Sequence, residues 1–344
     1  MTPADLSLTV LHAVRRAVDD GALRVDVPPT VKVERVRPGG AGEYASSIAL
    51  SLARSAGRPA LDVAGILEER LRDAPGLREV VITGPGFLNF SLRRDADAEL
   101  VRAIREAGDS YGTSDALAGT TVRFAGPPDL TESRALLVTE TVVRLLRSQG
   151  ADAGFAELAG FAGFIGPSDD ERGESGERIH VRAGAYEGDV LGVDAARWAL
   201  LRPSPQDRPL DGPPLLVQHE RNSLFRVRYA YSRVRRLLVN GRQLGVVPVY
   251  EHDAPPLHAP ELLGVLRDHP VVLLAAARHR APDRVARHLE ATADALLAFQ
   301  HTVLPLGDEK PSAAHRSRLA LAEAAGTVLA GGLAVLGISA PERI

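Results

Sequence analysis

A chain of 344 residues has room for two or three domains, each with its own core, and 45% hydrophobic with 25% charged residues excludes a disordered chain. A net charge of −3 lacks the strong basic excess of a dedicated nucleic-acid binder, although charge segregated onto one face stays open. The absence of cysteine removes disulfides, thiolate metal ligands and thiol nucleophiles. Lys32 and Lys310 are the only lysines, so lysine chemistry is excluded between them. The arginine bias suits phosphate through the planar donor fork, and codon usage in a GC-rich genome explains it without any function. No apolar run reaches the roughly 18 residues of a membrane span. The opening "MTPADLSLTVLHAVRRAVDD" carries acids early and lacks a signal peptide's basic start and cleavage site, which predicts a cytoplasmic protein with no membrane partner.

Residues 5–19 are predicted helical, with Leu11, Val14 and Val18 at helical spacing. A strand-like "TVKVERV" follows, then "RPGGAGEYASSIALSLARSAG", a glycine-bearing turn whose second half reads as a helix through Ile48, Leu52 and Ala56. Another helix, "LDVAGILEERLRDA", leads to "REVVITGPGFLNFSL", two strands about a Gly-Pro-Gly turn. A helix over 95–107 ends at Gly108, so residues 1–115 are expected to form an α+β domain.

The stretch "RFAGPPDLTESRALLVTETVVRLL", residues 123–146, reads as a strand, a Pro-Pro turn and an apolar-periodic helix. That layout places unpaired N–H groups and the helix dipole where a phosphate binds. Yet the turn offers Gly126, Pro127, Pro128, Asp129, Leu130, Thr131 and Glu132, with two carboxylates that repel phosphate. Next come "GFAELAGFAGFIG" and the acidic, glycine-bearing "PSDDERGESGE", expected at the surface. From 191 onward helix follows helix, broken at proline-rich stretches, and strand signals nearly vanish.

Three separated segments resemble arginyl-tRNA synthetases, in the family's order. "RPGGAGEYASSIALSLARSAGRP" with "VVITGPGFLNFSL" and "REAGDSYGTSD" is similar to the family's N-terminal additional domain. "GVDAARWALLRPSPQDRPLD" with "RNSLFRVRYAYSRVRRLL" is similar to the opening of its anticodon-binding domain, where the usual Asp-Ala-Leu-Arg is here Asp194, Ala195, Ala196 and Arg197. "LALAEAAGTVLAGGLAVLGISAPERI" resembles the terminal helix and tail. Between the flanks the family carries several hundred residues of nucleotide-binding core, with a His-x-Gly-His signature and a lysine-bearing loop. Here a short join replaces them: "TVRFAGPPDLTESRALLVTETVVRLLRSQGAD" resembles the core's first strand, turn and helix, and "GERIHVRAGAYEGDVLGVDAARWALL" its exit.

The resemblance implies an α+β N-terminal domain at 1–115, a short remnant of a class I synthetase nucleotide-binding core at 116–190, and an all-α helical-bundle anticodon-binding domain at 191–344. It also implies a pseudoenzyme. The signature histidines and the lysine are missing, and His180 and Arg182, near the former lysine loop, do not rebuild a phosphate site. No catalytic residue, cofactor or metal is expected. The implied partner is tRNA, with an arginine acceptor the natural candidate, and a protein partner is the alternative.

The candidate RNA-binding residues are Phe87, Asn89, Tyr229, Arg226, Arg233, Arg236 and Ile344. In the family the "GPGFLNF" turn offers an aromatic and an asparagine to an unpaired base, matched here by Phe87 and Asn89. Strand alternation places Phe87, Asn89 and Ser91 on an exposed face, opposite Leu88, Phe90 and Leu92. The competing reading makes Phe87 core and Asn89 a turn cap. In the helix containing "RNSLFRVRYAYSRVRRLL", Phe225 is expected in the core, and the resemblance implies that Tyr229, whose family equivalent meets the anticodon loop, contacts RNA. Arg226, Arg233 and Arg236 flank Tyr229, the mixture of stacking and phosphate pairing that suits a single-stranded loop, unless the aromatics are simply bundle core. The family also brings its C-terminal residue, here Ile344, to the anticodon loop. Arg280, Arg284 and Arg287 form a ridge that either pairs phosphates or keeps the bundle solvated. His252, His258 and His269 are spaced too irregularly for a metal site, and these, with His279 and His288, are expected at the surface.

Overall fold

The computed structural model describes residues 3–36, 41–92, 95–125, 133–156, 176–184, 188–251 and 257–344. The Pro-Pro turn with its carboxylates, most of the acidic loop and His252 lie outside these residues. The chain divides into two compact units, one built on Met1–Ala103 and one on Ile104–Tyr250 with Leu257–Ile344.

In the first unit, α1 (Pro3–Asp19) buries Leu6, Val10, Leu11, Val14 and Ala17, one stripe at helical spacing. Strands β1 (Glu34–Arg35), β2 (Tyr44–Ser46), β3 (Leu77–Thr83) and β4 (Phe87–Leu92) make an antiparallel sheet in the order β1-β2-β4-β3. Helices α2 (Ile48–Ala56) and α3 (Ala60–Leu71) pack against it. Helix α2 stops at Gly57, whose left-handed conformation lets its N–H and that of the next residue reach back to the last carbonyls. Tyr44, Leu67, Leu71, Leu77, Leu88 and Phe90 are among the largest buried side chains of this core. Helix α4 (Asp95–Ala107) leads out of the unit.

The second unit begins with two parallel strands, β5 (Thr121–Phe124) and β6 (Asp152–Phe155), joined through α5 (Ser133–Ser148). Glu177 lies beside Phe124 as a further parallel bridge, giving its N–H to Arg123 O and accepting from Ala125 N. The described parts of 116–190 thus pack inside the second unit. Arg134 sits near the start of α5 with no exposed surface. Its guanidinium donates to five backbone carbonyls, those of Arg182 (2.9 Å), Leu200 (3.0 Å), Pro203 (3.4 Å), Ser204 (2.9 Å) and Asp207 (2.7 Å). Burial holds its pKa below the ordinary arginine value.

The rest is helical: α6 (Gly188–Leu191), α7 (Val193–Leu201), α8 (Ser223–Gln243), α9 (Pro260–Arg278), α10 (Asp283–Phe299) and α11 (Ala313–Leu336). The architecture is therefore α+β at the N-terminal end and a helical bundle at the other, as the residue pattern predicts. Helix α11 buries Leu319, Leu321, Val328, Leu329, Leu333 and Leu336 between its neighbours. Gly332 permits that approach, since a Cβ there would fall 2.5 Å from Leu289 Cδ2. The expectation that no apolar run attains membrane length needs correcting. Helix α11 is long and apolar enough, with Glu323 its one acid in the apolar stretch, yet 67% of the window is buried, which makes it the bundle's central helix.

Candidate nucleic-acid interface

In the first unit, the turn between β3 and β4 is shaped by Gly84 (φ 54°) and Gly86 (φ 130°), backbone regions that side chains avoid. A Cβ at Gly86 would also lie 2.9 Å from Ala60 O, so the turn rests directly on the start of α3. Phe87 leaves this turn 39% exposed, not in the core. Asn89 and Ser91 depart from the alternation expected for them: each is only 6% exposed, because β4 is an inner strand paired with both β2 and β3. Asn89 Nδ2 donates to Thr83 Oγ1 (2.7 Å), Val81 O (3.2 Å) and Phe87 O (3.4 Å). Two of those partners are carbonyls that only accept, which fixes the amide's orientation and makes Asn89 the brace beneath Phe87.

In the second unit, α8 starts where Asn222 Oδ1 accepts the N–H of Phe225 (3.1 Å), a side-chain cap. The same buried amide donates to Leu215 O and Val217 O, tying the helix start to the preceding turn. Phe225, expected in the core, is half-buried and stacks on Tyr229, with ring centroids 5.6 Å apart and planes at 18°. It is half-buried because it lies at the edge of the bundle, beside a cavity of about 300 Å³ bordered also by Leu216, Val217 and Ile344. Tyr229 is 37% exposed and Ile344 47%. Tyr229, Arg233 and Arg236 stand at i, i+4 and i+7, one face of the helix.

The arginines of α8 are not equivalent. Arg226 pairs with Asp294 (2.9 Å), Arg228 with Asp194 (3.5 Å) and Arg235 with Glu342 (2.6 Å). Arg233 donates to the Gln300 amide oxygen (2.8 Å), a neutral partner. Arg236 is exposed and has no partner among the described residues. The structure therefore gathers Tyr229, Arg233 and Arg236 onto one face, and gives the Arg226 charge to a neighbouring helix.

Elsewhere the sequence misplaces several groups. His269 (1% exposed) and His288 (8%) are buried and stacked at 5.2 Å, with Tyr111 on the other side of His269 at 5.9 Å. Both lie on the inward sides of α9 and α10, the helices that pack most closely on each other, a tertiary choice that local composition does not reveal. Burial first, then the His288 charge, pushes the His269 pKa down to about 3. His258 and His279 are exposed. Of the arginine ridge, Arg280 pairs with Glu177 (3.0 Å) and Arg287 with Asp283 (3.1 Å), and the Arg284 side chain has no partner among the described residues. His180 and Arg182 take part through their backbone, accepting from Gln206 and Arg134. Among the described residues no group of three or more His, Asp or Glu converges as a metal site. Asp194, Arg134 and Glu342 are organising residues that sequence reasoning did not single out by role; only Asp194 carried a signal, in the Asp-Ala-Ala-Arg motif.

Residues 8–92 match the family described as arginyl tRNA synthetase N terminal domain, and residues 227–344 match the DALR anticodon binding domain. An arginine–tRNA ligase of Frankia alni is 30% identical over 553 aligned positions that cover 100% of both chains. The chain belongs to the arginyl-tRNA synthetase family. A second ligase, from Micrococcus luteus, is 40% identical over 164 residues, which are 44% of this chain and 30% of the ligase. The fold is that of Thermus thermophilus arginyl-tRNA synthetase, with a TM-score of 0.72 over 100% of each chain at 13% identity. Residues 93–226 fall outside both matched domains. The Frankia alignment needs 553 positions for a chain of 344 residues, so that ligase carries a long stretch with no counterpart in this synthetase relative.

Proposed function

We propose that this chain is a synthetase-derived tRNA-binding protein that does not charge its RNA. The observation that carries the reading is retention of both terminal domains of the family alongside the long gap between them. Activation of an amino acid needs preorganised positive or hydrogen-bonding groups where charge develops on the phosphates. The sequence contains no His-x-Gly-His and no lysine from 33 to 309. What remains is suited to holding RNA: Phe87 on its braced turn for an unpaired base, and the Tyr229 face with Arg233 and Arg236 for a single-stranded loop. An arginine-accepting tRNA is the partner that the family points to. Exposure of Val190, Val193, Leu216 and Val217 near one end of the helical unit favours a second reading, a protein partner on that apolar surface.

Filter binding of tRNA across a salt series tests the proposal. Arg233 and Arg236 have no carboxylate partner among the described residues, and two such cations predict a slope of log K against log salt of about −1.4 for a single-stranded contact. Tyr229→Ala removes a stacking platform worth about 1–3 kcal/mol, so affinity falls roughly fivefold to a hundredfold. Affinity no tighter than about 10⁻⁴ M at low salt, or an unchanged Tyr229→Ala variant, sinks the reading. Sequencing RNA that co-purifies with the native protein identifies the tRNA.

A further inference from the structure

Beyond α11 the chain does not hang free. Ser339 gives its backbone N–H to Asp194 Oδ1 (3.0 Å) and its hydroxyl to Asp194 Oδ2. Arg228 Nη2 adds a contact to the Ser339 hydroxyl (3.3 Å) beside its pairing with the same carboxylate. Three residues later, Glu342 accepts the Ser232 hydroxyl at its backbone carbonyl (3.1 Å) and pairs its side chain with Arg235. The segment is thus held at two points, one on α7 and one along α8. Ser232 lies one turn from both Tyr229 and Arg236, so the second point borders the stacking face.

The two points differ in strength. The side chains of Asp194 and Arg228 are 23% and 28% exposed, and Asp194 receives two further hydrogen bonds, which makes a durable anchor. Glu342 and Arg235 are 67% and 43% exposed, and an ion pair in such solvent contact contributes little. A phosphate can compete for Arg235, but only by displacing a carboxylate already there.

We propose that Ser339–Ile344 is an electrostatic gate on α8, and that Glu342 is a specificity-determining residue. By occupying Arg235 the segment withholds one cation from passing phosphates, while Asp194, the residue on α7 that anchors it, withholds Arg228. Binding driven by backbone charge alone is suppressed, and a productive RNA has to use the Tyr229 face. The gate rests on the tRNA-binding reading.

The test uses Glu342→Gln and Asp194→Asn in the full chain, with circular dichroism to verify the fold, and poly(U) and tRNA as probes across a salt series. Each variant frees one cation, so the poly(U) slope steepens by about 0.7 and affinity at 50 mM salt rises roughly threefold to eightfold, while preference for tRNA over poly(U) shrinks. Unchanged or weakened poly(U) binding in both folded variants, with Tyr229→Ala still impairing tRNA binding, overturns the gate and leaves the reading intact. Failure of the native chain and every variant to bind either RNA overturns both.

Discussion

Replacing Arg134 with methionine keeps the aliphatic stem and removes the guanidinium that five carbonyls share. No water replaces it easily, since the residue has no exposed surface. A hydrogen bond to a charged donor contributes about 1.5–3 kcal/mol, and a buried acceptor left unmade costs about 1–3 kcal/mol. Against this stands relief of the burial that already depresses the arginine's pKa. The net loss is expected at about 3–5 kcal/mol, a large part of the 5–15 kcal/mol typical of a whole domain. Urea unfolding followed by the fluorescence of Trp198, the single tryptophan, reports on the second unit, which also contains Arg134. Arg134→Lys should recover only part of the loss, because an ammonium has three donors for five acceptors. A loss under about 1 kcal/mol for Arg134→Met would mean that the carbonyls find other donors and that this arginine is not the staple of the unit.

Acid should weaken the second unit through His269. The unfolded side chain takes its proton near 6.5 and the folded one only near 3, so the unfolded state binds more protons between those values. Stability is fully present above the unfolded pKa and is lost as pH falls, by about 2 kcal/mol at pH 5. Urea midpoints of the native chain and His269→Gln at pH 7 and 5 check this, and equal pH dependence of the two would refute it. In the first unit, Gly86→Ala combines a φ of 130° with a Cβ 2.9 Å from a backbone oxygen, and is expected to lower stability by about 2 kcal/mol or more. Thermal unfolding measures it, and a neutral result would show that the turn moves freely off α3.

The sequence made the helices, the Gly-Pro-Gly hairpin and the loss of strands beyond 191 legible, because each is written in local periodicity or turn chemistry. Tyr229 was singled out by the family resemblance and not by periodicity, and it lies 37% exposed on α8. The burial of Asn89 was not legible: alternation assumes one solvated face, and whether β4 lies inside or at the edge of the sheet depends on pairing with β2, more than forty residues earlier. The partners of the α8 arginines were equally hidden. Asp194, Asp294 and Glu342 come from three separate segments, and a charge count along α8 alone overstates the cations open to a ligand. His269 and His288 look polar in sequence and are buried because α9 and α10 turn them toward each other.

The strand–helix–strand element of the second unit is held by packing. Two parallel strands are too few to hold a sheet by themselves. Here α5 buries Val138, Val142, Leu145 and Leu146, and packs against α7, α9 and α11 as well as β6. Arg144 donates to Val335 O (2.9 Å) at the end of α11, and Arg134 pins the other end of α5 to the chain after α7. The element therefore covers an apolar flank of the helical bundle, and removing it would expose that flank. The strand and helix are in this way held in place by the stability they give the helical unit.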